Sequence, residues 1–99
     1  MINIKFIKLF KIVGSFAENK DLARKIREEE IIPALNCNQE IILDFKDVNL
    51  TTQSFIHALI SDLIRKYGNE IIDKINFKNC NETIKKIINI VIDYMQQRD

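Results

Sequence analysis

ILDFKDVNLTTQSFIHALISDLIRKYG, residues 42–68, passes from an apolar strand through a polar step, T-T-Q-S, into an amphipathic helix. The run EIILDF at 40–45 is continuously apolar and β-branched between its acids. Such a run predicts a strand buried on both faces, in the middle of an α/β sheet, with Asp44 and Asp47 bracketing its exit. Phe55, Ile56, Leu59, Ile60, Leu63, Ile64 and Tyr67 then recur at helical spacing over three turns. Gly68 stands where a glycine would close that helix in a left-handed turn. At the opposite end Thr52 is placed as N-cap, its hydroxyl able to accept the N–H of Ser54 or Phe55. Gln53 and Ser54 fall in the first turn, where free N–H groups and the positive end of the helix dipole favour anions. Winding the helix sets Ser54 opposite the apolar face, on one stripe with Ala58, Ser61 and Arg65. The stripe has small residues at three of its four positions. It is expected to face solvent and to accept bulk at Ser61 without loss of stability.

Outward from this stretch, INIKFIKLF alternates like a half-buried strand, with Ile2, Ile4 and Phe6 on one side and Asn3 and Lys5 on the other. Gly14 and Ser15 end that segment, and 9–13 has room for a second short strand. ENKDLARKIREEEIIPAL predicts a helix capped by Asn19 or Asp21, with Leu22, Ala23 and Ile26 on one face. The acids Glu28, Glu29 and Glu30, with basic residues one turn earlier, suggest a solvated face of i,i+4 partners. Pro33 breaks the hydrogen-bond ladder, and Ile31, Ile32 and Leu35 wind off the Leu22/Ile26 face, so a kink or restart is expected there. A further strand is predicted over 71–77. Asn79 and Glu82 have capping-box spacing ahead of the apolar face Ile84, Ile87, Ile88, Val91 and Met95, and Arg98 suits the dipole at the far end. The alternation predicts one α/β domain over 1–99, with α+β as the alternative. A mixed sheet of about three to five strands would carry about three helices.

Ninety-nine residues form one core, large enough to fold without metal or disulfide. Lys+Arg 15 against Asp+Glu 14 leaves +1, too little to steer the chain toward nucleic acid or an anionic membrane. The one local basic excess is Lys5, Lys8 and Lys11, the basis of a nucleic-acid-accessory alternative with steep salt dependence. Cys37 and Cys80 form no C-x-x-C and have no His nearby in sequence, so neither zinc nor redox chemistry is suggested and free thiols in a reducing cytoplasm are expected. The longest apolar run, IINIVI, is too short to span a bilayer.

Ser54, His57 and Asp62 invite a hydrolase reading that the geometry refuses. Asp62 lies five residues past His57, about 140° around a helix, and cannot orient its imidazole. No glycine elbow accompanies the serine, and His57 has no second ligand at i+4. Nucleotide, metalloprotease and zinc-finger motifs are absent. The expectation is a non-enzyme without cofactor or metal.

The pattern Asp44-Phe45, Val48, Ser54-Phe55, Gly68 and Asn79 resembles the small prokaryotic STAS-like domain family of unknown function, over about residues 17–94. More distantly the chain is similar to the STAS domains of anti-sigma-factor antagonists. In those, a D-S-S-G stretch opens the corresponding helix and its first serine is phosphorylated. Alignment puts Thr52, Gln53, Ser54 and Phe55 on these four positions, and Gln53 cannot accept a phosphoryl group. Asn19-Lys20 likewise stands where the small family often has Ser-Arg. The resemblance implies a cytoplasmic regulatory module that docks a partner through Thr52, Gln53, Ser54, His57, Ala58, Ser61 and Arg65. The partner class it implies is a GHKL-type ATPase or kinase, or another sigma-regulatory protein. A phospho-acceptor switch at Ser54 or Thr52 is the alternative, and a homodimer is not separable from docking.

Overall fold

β3 (Glu40–Asp44) is the middle strand of a three-stranded parallel sheet, between β1 (Ile4–Lys8) and β5 (Ile75–Lys78). A second parallel pair joins β2 (Phe16–Ala17) to β4 (Leu50–Thr51). The computed structural model describes residues 3–97, so the expectations for Ile2 and Arg98 lie outside the described residues. The α/β class holds, with five strands among the described residues divided between two small parallel sheets rather than gathered in one mixed sheet. Among the described residues no helix is long and apolar enough to cross a membrane.

One face of the main sheet carries the core. Ile7 and Leu43 stand abreast on it, as do Ile41 and Ile75 in the next row. The other face is open. Ile4 (51% exposed) and Phe6 (47%) project there, beside a half-buried Ile42. Two expectations are corrected. β1 buries Ile7 and, just past its end, Leu9, not Ile4 and Phe6, and β3 is fully covered on one face only. Alternation gives the period of a strand but not which phase faces inward, and here both phases of β1 contain apolar residues.

α1 (Phe10–Val13) is a single turn in place of the second strand expected over 9–13, and the strand comes later, at β2. α2 (Lys20–Ile26) starts at Asn19, whose side-chain Oδ1 accepts from the N–H groups of Asp21 and Leu22. It does not break before Pro33. The chain widens through one π-type turn, Arg27–Ile31, and continues into α3 (Ile32–Asn36). The extra residue in that turn returns Ile31 to the side of Ile26, and both are buried. Pro33 falls in the first turn of α3, where its missing N–H is tolerated, so the expected restart stands, reached through the widened turn.

α4 (Gln53–Tyr67) closes at Gly68, whose φ of 85° and ψ of 174° lie in the extended mirror region open almost only to glycine rather than in a left-handed helical turn. A short 3₁₀ stretch, Asn69–Lys74, then occupies most of the predicted strand, leaving β5 only Ile75–Lys78. α5 (Glu82–Gln96) is capped by Asn81, which accepts from Ile84 N–H, and not by Asn79. Its buried face is Ile84, Ile88, Val91 and Met95, with Ile87 half-buried.

Candidate functional site

α4 is flanked by α2 on one side and α5 on the other, and all three helices open at one end of the molecule. The small sheet sets this up. Ala17 pairs with Thr51, and Thr52 N–H donates to Ala17 O at 3.1 Å, so the caps Asn19 and Thr52 emerge side by side. The Asn81 cap joins them through its side-chain amide, which donates to Asn49 O at 2.9 Å. Thr52 caps α4 as expected, accepting from Phe55 N–H at 3.0 Å.

Along the outer side of α4 runs a groove of about 610 Å³. Ser54, Ala58 and Ser61 form its floor. Lys20, Arg24 and Arg27 of the α2 segment form one wall, and Ile90, Val91 and Tyr94 of α5 the other. Gln53, His57, Asp62 and Arg65 complete the lining. Six of the seven residues expected to form a contact surface therefore share one concavity: Gln53, Ser54, His57, Ala58, Ser61 and Arg65. Thr52, half-buried and committed to capping, is not in it.

The stripe differs from expectation in relief. Ser54 and Arg65 are exposed and Ala58 is half-buried, but Ser61 is only 2% exposed. Helical winding sets the azimuth of Ser61 correctly and says nothing of the height of its neighbours. A two-atom side chain between longer ones is shaded by them. The expectation that Ser61 faces solvent is thus overturned. Its hydroxyl lies 3.4 Å from His57 Nδ1, one turn earlier, a pairing that accounts for its polar group. Asp62 turns away from His57, accepts a hydrogen bond from Arg65 Nη1 and forms an ion pair with Arg27, Nη1 to Oδ2 at 3.2 Å.

Arg27 was missed. Its side chain is 11% exposed rather than solvated, and its Nη1 donates to Ala58 O at 2.6 Å, bridging the π-type turn to α4. A basic residue five before Ile32 gave no sign of this, because the π-type turn that aims it at α4 is invisible to a 3.6-residue winding. Glu30 likewise leaves the solvated set, pairing with Lys5 at 3.1 Å. Lys5 and Lys8 point to opposite faces of β1, so they do not form one basic surface.

At the carboxyl end of β3, Asp44 Oδ1 accepts from the side-chain amide of Asn79 at 2.8 Å and from Lys46 N–H at 3.0 Å. These bonds, the Asn79 one foremost, hold its carboxyl below the ordinary aspartate value against the opposing effect of burial. Asn79 adopts φ 59°, a left-handed conformation that asparagine tolerates better than most residues. The Asp and Asn of the family-like pattern thus meet as a structural clasp. Cys80, half-buried, has its thiol pushed up to about 11 by desolvation, which keeps it protonated near neutrality. Among the described residues no group of three or more His, Cys, Asp or Glu could hold a metal ion.

A family model described as a STAS-like domain of unknown function (DUF4325) matches residues 23–85. The match takes in Asp44, Asn79, the whole of α4 and the groove floor, and leaves Lys20, Ile90, Val91 and Tyr94 outside it. No curated protein and no solved structure matches the chain. Parallel strands, an Asp-Phe strand exit leading to a capped central helix, and a family match over most of the chain agree, and the chain belongs to the family of STAS-like domains of unknown function.

Proposed function

We propose that this chain is a non-enzymatic regulatory module of the cytoplasm that docks a partner protein in the groove over α4. The observation that supports the reading best is the concavity itself. Exposed Ser54 and half-buried Ala58 leave room for a partner between two helical walls. The open sheet face, where Ile4 and Phe6 are exposed, is the surface a homodimer would use. The partner class suggested by the family resemblance is a GHKL-type ATPase or kinase.

The test is binding of the purified chain to GHKL-type ATPases of its own genome, with Ser54→Tyr as the blocking variant. Saturable binding that falls about tenfold, a change of ~1.4 kcal/mol, supports the reading. The variant's stability should stay within about 0.5 kcal/mol of the parent, as at other exposed positions. Binding that ignores Ser54→Tyr removes this surface. The phospho-acceptor alternative favours Ser54, the exposed hydroxyl, over the capping Thr52. Intact mass after incubation with such a kinase decides it, a single phosphoryl addition lost in Ser54→Ala supporting the switch.

A further inference from the structure

We propose that the groove receives an acidic helix with an apolar face, contributed by the partner protein; the inference rests on reading the groove as a docking site and names what enters it. The dimensions argue for a helix. From Gln53 to Arg65 the lined stretch of α4 covers thirteen residues, about 18 Å, or a little over three turns. A channel of that length, about 610 Å³ in volume, suits a helix that lays one apolar face into a groove. A floor of small residues also suits it, since short contact side chains let packed helices approach at the near end of the 8–10 Å range.

The two walls differ in chemistry, and the difference sets the occupant's faces. On α5, Ile90 and Tyr94 stand one turn apart and are 51% and 55% exposed. These are large apolar groups on a rim, placed to cover a partner's apolar stripe. On α2, Lys20 and Arg24 stand one turn apart and exposed. Arg24 pairs only with the exposed Asp21, and Lys20 makes no ion pair among the described residues. The one acid lining the groove, Asp62, is already held by Arg27 and Arg65. An incoming carboxylate therefore meets cations and no uncompensated anion. The N-terminus of α4, whose Gln53 and Ser54 line the groove, adds its positive end beside Lys20. It also favours an occupant running antiparallel, its carboxyl end near Lys20 and Ser54.

The test uses the full chain, labelled with ¹⁵N, and two helix-stapled peptides of about fourteen residues. Both carry the same leucine stripe, one flanked by glutamates and the other by lysines. The glutamate peptide is expected to shift the amides of Ser54, Ala58 and Ser61, to bind at least tenfold more tightly than the lysine peptide, and to weaken with salt. The double variant Lys20→Glu/Arg24→Glu should erase that preference while its unperturbed spectrum elsewhere shows it folded. Equal binding of the two peptides overturns the acidic occupant but leaves docking in the groove standing. Shifts confined to the open sheet face, or none, overturn the proposal, and the Ser54→Tyr experiment judges docking separately. Pyrophosphate serves as a third titrant. If it moves the groove amides while neither peptide does, the site takes small anions and the helix proposal fails.

Discussion

Asp44 shows how one side chain sets a pH dependence. In the folded chain the Asn79 amide, the Lys46 N–H and the nearby Lys8 and Lys46 charges favour its carboxylate, and burial only partly opposes them. The folded state thus binds the Asp44 proton more weakly than the unfolded state does. Its contribution is present in full above the unfolded value, about pH 4, and is lost as pH falls through the lower folded value. Asp44→Asn is therefore expected to unfold at lower denaturant than the parent at neutral pH, with the gap narrowing in strong acid. Urea midpoints across that range measure it, and a gap independent of pH would deny the charge any part. Ser61 sets a different constraint. It is 2% exposed with its hydroxyl against His57, so a longer group there must displace the neighbours that shade it. Ser61→Arg should destabilise by about 1–3 kcal/mol, the usual range for overpacking. Ser61→Ala should be far milder. A thermal midpoint unmoved by Ser61→Arg would mean that the groove floor yields freely.

At the scale of elements, β1 separates what a pattern can tell from what it cannot. INIKFIKLF was legible as a strand because apolar and polar residues alternate, and its inward phase was not, because Ile7 and Leu9 compete with Ile4 and Phe6. The sheet resolves the choice through register. Ile7 lies beside buried Leu43, whereas Phe6 lies beside half-buried Ile42 on the uncovered face. Ile7→Asp should place a carboxylate in the core and prevent folding or cost several kcal/mol. Phe6→Asp should leave the far-UV spectrum and the midpoint close to the parent. The opposite ranking would invert the strand. Caps were easier to read, since Asn19 and Thr52 need only a side-chain oxygen within reach of the next turn. Asn79 shows the limit of that reasoning. Two asparagines two residues apart offered the same chemistry, and the left-handed backbone at Asn79 assigns the cap to Asn81.

The groove belongs to the whole molecule, and its legibility was correspondingly partial. Its floor came from one helix and could be wound from the sequence. Its walls come from segments about thirty residues to either side, and only the tertiary packing brings them over α4. Arg27 is the residue that fastens this arrangement. Its guanidinium crosses from the π-type turn to Ala58 O and Asp62, while Arg24 on the preceding turn pairs only with exposed Asp21. Hydrogen bonds made by a buried charged group are worth about 1.5–3 kcal/mol, whereas an exposed ion pair is worth under about 1 kcal/mol. Arg27→Met, which keeps the apolar stem and removes the donors, should therefore destabilise the chain markedly more than Arg24→Met. Because the lost bonds tie α2 to α4, amide exchange should accelerate first in the α2 segment. Equal losses for the two variants would reduce Arg27 to another surface charge, and the groove's basic wall would lose its anchor.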